Sequence, residues 1–193
     1  MANRAMLLIS NSIEFNYENY NESEEVVAAA NYSIPMFWFS LFSSEDVFYK
    51  KLEMEDGTFE DWPILVVERN IALDRVKKRK KSFLNLLPKG YDSLYSKWIN
   101  LLQNINLMYI HLDMDEIRMM ADNEDEYDLK LKEVLASVDN LTLYNSNILL
   151  EYFSGIEIEK SLFGIKINNP KSDEEIVSFL CGNSWIRKVT WEK

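Results

Sequence analysis

"WPILVVERNIALDRVKKRKKSFLNLL", residues 62–87, decides the fold, because two apolar patterns meet in it. "WPILVV" is a short continuous apolar run rich in β-branched residues, bounded by Pro63 and by the charged residues that follow. It reads as a buried strand, although the same run could open the helix after it. "RNIALDRVKKRKKSFLNLL" then places Ile71, Ala72, Val76, Phe83, Leu84 and Leu87 at helical spacing, and Pro88-Lys89-Gly90 ends the pattern.

Working outward, "RAMLLIS" predicts a first buried strand. "NSIEFNYENYNESEE" predicts a long exposed loop rich in Asn, Glu and Ser. "SIPMFWFSLF" predicts a helix with Ser33 as N-cap and Pro35 in its first turn, its aromatics belonging to the core. "SSEDVFYKKL" predicts a short helix, and "EDG" around Gly57 a turn. Asp92 is placed to cap "SLYSKWINLLQ", where Leu94, Trp98, Leu101 and Leu102 share a face. "NLMYIHLDM" predicts another strand. "SDEEIVSFLCGN" carries the clearest helix signal, with a Ser172–Glu175 capping box and Gly182 at the C-terminus. "SWIRKVTWEK" alternates apolar and polar residues, as a final edge strand would. The expectation is one mixed α+β domain over residues 1–193, richer in helix than strand.

Composition narrows the function. Hydrophobic residues are 47% of the 193, enough for a core without disulfides. The single cysteine, Cys181, cannot pair within the chain, which points to a reducing cytoplasm. "MANRAMLLISNSIEF" lacks the apolar region and cleavage site of a signal peptide, and "IPMFWFSLF" is too short to cross a bilayer. The net charge is -11, unevenly spread. Residues 1–68 hold 3 basic and 13 acidic side chains, residues 69–100 hold 9 and 2, and residues 101–139 hold 3 and 10. Such a field repels nucleic acid and anionic membranes and favours a basic protein partner.

"DMDEIRMMADNEDEYDLKLKEVL", residues 113–135, concentrates nine carboxylates. A calcium loop starting at Asp122 would need glycine where Tyr127 stands and oxygen ligands where Leu129 and Leu131 stand. Ile117, Met120, Ala121, Tyr127, Leu131, Val134 and Val138 instead recur at helical spacing, with one break near Glu124. The carboxylates therefore line the outer face of an amphipathic helix, either merely solvated or docking a basic partner. "RVKKRKK", residues 75–81, could grip phosphates, but the acidic flanks favour pairing inside the chain with the 113–135 face, or plain solubility.

Catalytic patterns are sparse. His111 is the one histidine, without a nucleophile motif beside it, and reads as structural. Cys181, next to Phe179 and Leu180, reads as a buried inert thiol. The glycines at 57, 90, 155, 164 and 182 form neither a P-loop nor a dinucleotide fingerprint, and no metal or cofactor is expected. Paired-carboxylate chemistry stays open, since 32 acidic residues offer many pairs.

"MANRAMLLIS" followed by "AAANYSIPMFWFSLF" resembles small bacterial immunity proteins, carried beside polymorphic toxins of the Rhs and contact-dependent types. The likeness covers about a quarter of the chain, in the first strand and the "ANYSIP" helix start. It implies a cytoplasmic protein that binds one toxin domain, basic near its active cleft, and occludes that cleft. The contacts expected on this reading are Asp115, Glu116, Asp122, Asp125, Glu126 and Asp128, with Tyr17 and Tyr20 from the Asn-rich loop as aromatic anchors. The alternatives are a carboxylate- or metal-dependent enzyme, and an adaptor that touches nucleic acid through "RVKKRKK".

Overall fold

The computed structural model describes residues 3–14, 25–53, 56–161, 164–168 and 172–183. Five strands form one sheet in the order β2-β1-β5-β4-β3: β1 (Arg4–Ser10), β2 (Val26–Asn31), β3 (Val47–Glu53), β4 (Phe59–Glu68) and β5 (Tyr109–Asp113). Every neighbouring pair is antiparallel. The helices are α1 (Arg69–Leu84), α2 (Asp92–Gln103), α3 (Asp115–Arg118), α4 (Glu124–Ser137) and α5 (Asp173–Cys181), and β6 (Ile158–Ser161) pairs with β7 (Gly164–Ile167) as a separate hairpin. The fold is α+β, with more helix than strand.

The strand at the head of residues 62–87 and the helix at its tail are both present, and they meet at Glu68 and Arg69. Ile64, Leu65, Val66 and Val67 are all buried, so β4 shows no polar alternation. Pro63 is tolerated because β4 gains β5 as a neighbour only from Leu65 onward; at Pro63 it pairs with Tyr49 of β3 alone. One face of the sheet presents Leu7, Ile9, Leu65, Val67, Ile110 and Leu112 to the core shared with Val76 and Phe83 of α1 and with Tyr95, Trp98 and Leu102 of α2. Leu8 and Val66 flank His111 in register on the opposite face, and all three are buried.

Three local expectations are corrected. "SIPMFWFSLF" forms only a short 3-10 turn, Met36–Ser40, buried on every side. Pro35 precedes it as N-cap, and the Ser33 hydroxyl turns back to the Asn31 carbonyl at 3.5 Å. A segment apolar all round is a core segment, and here Trp38 donates through Nε1 to the Cys181 carbonyl at 2.8 Å. "SSEDVFYKKL" is a 3-10 turn at Ser44–Asp46 followed by β3. The Asp46 carboxylate accepts from the Ser43 N–H at 2.7 Å and closes a single turn, after which Val47, Phe48 and Tyr49 suit a pleated edge. "VVAAAN", assigned to no element from sequence, is β2. The α5 N-cap reads through directly: Ser172 Oγ accepts from the Glu175 N–H at 3.2 Å, and Gly182 ends the helix at φ 78. The expected final strand at 184–193 lies outside the described residues.

Candidate functional site: the carboxylate surface of α3 and α4

The chain leaves β5 at Asp113, turns through α3, and re-enters a helix only at Glu124, so the break in the apolar pattern is a true gap. Asn123 restarts the helix, its side-chain oxygen accepting from the Glu126 N–H at 3.1 Å. Glu124, Asp125 and Glu126 occupy the first turn of α4, where the positive end of the helix dipole offsets part of their mutual repulsion. Tyr127, Leu131, Val134 and Leu135 face the core.

The proposed contact residues fall into two groups. Asp115 is half-buried and ion-paired with Lys50 of β3. Its pKa is pushed up to about 6, first by burial and then by the neighbouring Asp113 charge, against the pull of Lys50. Asp113 is raised as well, burial again being the main cause. Asp128 binds Arg118 with both oxygens, at 3.0 Å to Nε and 3.2 Å to the terminal nitrogen. Arg118 is itself buried, pairs also with Glu124, and lies 4.9 Å over the Trp62 ring. Glu116 accepts from the Arg4 backbone N–H at 2.7 Å. Asp115 and Glu116 tie α3 to β3 and β1, and Asp128 ties α4 to α3. Asp122, Asp125 and Glu126 are exposed and make up the solvent-facing part of the surface, Glu126 being paired with Lys130 of its own helix. Tyr17 and Tyr20 lie outside the described residues.

Two hollows flank this surface. A cavity of about 310 Å³ is bounded by Tyr32 after β2, Ile117 and Met120 beyond the sheet, Asp122 and Glu126 at the head of α4, and Tyr152. Tyr152 belongs to a π-helical turn, Ile148–Phe153, whose wider winding points Tyr152 outward while Phe153 is buried. The Lys130 ammonium sits 3.8 Å over the Tyr152 ring and 2.7 Å from Glu126. Burial pushes the Tyr152 phenol up; Lys130 opposes this, while Glu126 and Asp122 add to it. The second hollow, about 370 Å³ and shallower, is lined by Glu60, Asp61, Arg118, Glu124, Asp125 and Asp128. Tyr32, Tyr152, Glu60 and Asp61 are distant in sequence from residues 113–135, and only the fold brings them there.

No family model, curated protein or solved structure matches this chain.

The other candidates have structural placements. The Ser10 hydroxyl lies 2.9 Å from His111 Nε2 and also contacts the Ser12 carbonyl, which is 3.1 Å from the same nitrogen. Ser10 and His111 are both buried, and burial brings the imidazole down to about 4, opposed by its Ser12 contact. A neutral imidazole sealed from solvent holds the end of β1 against β5. Cys181 is fully buried and its thiol is pushed well up by that burial. The basic run does pair within the chain, but not with residues 113–135. Arg75 meets Glu45 and Asp46, Arg79 meets Asp139 at 2.8 Å, and Lys80 meets Asp92 at 2.9 Å. The helical repeat decides this, because Ala72, Val76, Arg79 and Phe83 form one inward stripe. Among the described residues no group of three or more His, Cys, Asp or Glu is placed to hold a metal ion, and no helix is long and apolar enough to cross a membrane.

Proposed function

We propose that this protein acts by binding, as a cytoplasmic immunity-type protein that neutralises a bacterial toxin domain by covering its basic active cleft. The observation that carries the reading is the exposed triad Asp122, Asp125 and Glu126 beside a cavity walled by Tyr32, Met120 and Tyr152. Met120 and Tyr32, both exposed, line it. An apolar and aromatic centre within a charged rim is the anatomy of a protein interface, and the carboxylates would steer a basic partner onto it. Asp115, Glu116 and Asp128 are already engaged within the chain by Lys50, the Arg4 backbone and Arg118.

The test is capture from lysate of the native host, followed by co-expression of the captured protein with the wild type or with D122K/D125K/E126K. Growth rescued by the wild type and not by the variant is expected. Rescue by both would remove the acidic surface from the function.

A second reading, a carboxylate enzyme, draws on the Asp113–Asp115 pair, in which Asp115, pushed up to about 6, suits a general acid. Asp115 lines neither hollow, so binding is the better-supported reading. Calorimetric titration with magnesium, calcium, manganese and zinc tests the metal-dependent form of the second. Heat of binding that disappears in Asp115→Asn would favour it.

A further inference from the structure

We propose that the 310 Å³ cavity between Tyr32, α4 and Tyr152 is a subsite for one arginine side chain of the partner protein. The proposal rests on the reading that a basic protein docks on α3 and α4, and it names the group that enters.

The charge count comes first. The cavity wall carries two carboxylates, Asp122 and Glu126, and one ammonium, Lys130, so a single incoming cation neutralises it. The kind of cation follows from what is already occupied. Lys130 takes one face of the Tyr152 ring at 3.8 Å and pairs with Glu126 at 2.7 Å, so the chain's own lysine fills the place suited to a point charge. Asp122 is exposed and makes no ion pair among the described residues, and Tyr32 is 61% exposed. A carboxylate and an open aromatic face are what a guanidinium uses at once, through a forked pair of hydrogen bonds and planar stacking; an ammonium has only its point charge to offer.

Two further observations point to a ligand. The Tyr127 side chain lines the same cavity, and its buried hydroxyl has no hydrogen-bond partner among the described residues. A buried hydroxyl left unpaired is costly, and a shift of the Tyr127 ring on ligand entry that brought it a partner would relieve it. Tyr32 is the one non-glycine described residue held at positive φ, at 61°. That conformation is strained for a bulky side chain. An exposed ring recovers little of this by packing, whereas a ring that stacks on a ligand would.

The experiment follows the methionine methyl resonances of the full chain by NMR, assigning Met120 by substitution. The probes are Nα-acetyl-arginine methylamide, its neutral citrulline counterpart and Nα-acetyl-lysine methylamide. A saturable Met120 shift with the arginine probe is expected, with the citrulline and lysine probes roughly ten-fold weaker or silent. Tyr32→Asn and Asp122→Asn are each expected to weaken the arginine probe roughly five- to ten-fold. Asparagine accepts the left-handed backbone, so Tyr32→Asn should melt at the same temperature as the wild type or higher, which separates lost binding from lost folding. No Met120 shift with arginine, or an equal shift with citrulline, overturns the proposal. Hexalysine perturbing the exposed turn at Asp125 while the arginine probe leaves Met120 untouched would also overturn it, and would leave the broader acidic docking surface standing.

Discussion

Replacing Arg79 tests whether the basic run is a surface patch or part of the core. Arg79 is 2% exposed. Its guanidinium donates to the Ser40 carbonyl at 3.0 Å, the Phe42 carbonyl at 2.6 Å and the Asp139 carboxylate at 2.8 Å. Ser40 and Phe42 are wholly buried at the end of the 3-10 turn, so no water can take over from the arginine. Arg79→Met keeps a good helix former of similar reach and leaves both carbonyls unmet. At about 1–3 kcal/mol for each unsatisfied buried group, the loss should be about 3–5 kcal/mol. Asp139 is half-exposed, and its pair adds at most about 1 kcal/mol. Arg79→Lys reaches fewer acceptors and should lose about half as much. With a urea slope of about 2–3 kcal/mol/M for a chain of this size, the methionine variant's midpoint should fall by about 1.5 M at unchanged slope. The neighbouring Lys78 is exposed, and Lys78→Met should change stability by no more than about 0.5 kcal/mol. Asp139, held below the usual carboxylate range mainly by its hydrogen bond to Arg79, should titrate higher in Arg79→Met. If Arg79→Met and Lys78→Met lose equal stability in urea, the clamp is not structural and "RVKKRKK" is an open basic patch after all.

Other consequences are as direct. His111 is folded into a neutral state, so its contribution to stability is complete above pH 6.5 and is lost as pH falls through about 4. The loss is about 3 kcal/mol, at 1.36 kcal/mol for each pH step between the two values. Urea melts across this range should show that slope in the wild type and not in His111→Gln; an unchanged slope assigns the acid sensitivity elsewhere. Gly182→Ala places a Cβ 2.6 Å from Trp38 Cζ2 and 3.0 Å from the Ala29 carbonyl, at a positive φ. It should cost about 3 kcal/mol, combining overpacking with left-handed strain, and a melting temperature within error of the wild type would contradict the packing of α5 on the 3-10 turn. The Cys181 thiol, buried and held protonated, should react with a maleimide only at the rate of global unfolding, and fast labelling in the native state would contradict its burial.

What could be read from the chain was what its local order dictates. β1, α1 and α5 announce themselves through continuous apolar runs, helical spacing and a capping box, each complete within a few residues. The inward turn of Arg79 was also written in the sequence, since it falls on the stripe of Ala72, Val76 and Phe83, but the charge of the run conceals it. β3 misled because "SSED" carries a helix-start signal that the chain uses for one turn before the strand-forming "VFY" takes over. The candidate site was half legible. The carboxylates and the helical face beneath them follow from spacing, and so does the break near Glu124. Which carboxylates are free does not follow, because Asp115 and Asp128 are claimed by Lys50 and Arg118 through tertiary contacts. Nor could the cavity be foreseen, since Tyr32 and Tyr152 come from a strand end and a π-turn that only the folded chain sets beside Asp122.

The most direct test of the central claim is the association of the captured partner with the wild type and with D122K/D125K/E126K, followed at two salt concentrations. One basic protein in stoichiometric amount is expected. Its association rate with the wild type should fall as salt rises, and the variant, compared at a temperature where both proteins are fully folded, should associate at least roughly ten-fold more slowly and lose that salt dependence. Equal rates and equal salt slopes for the two proteins would contradict it, as would the capture of no partner at either low or moderate salt.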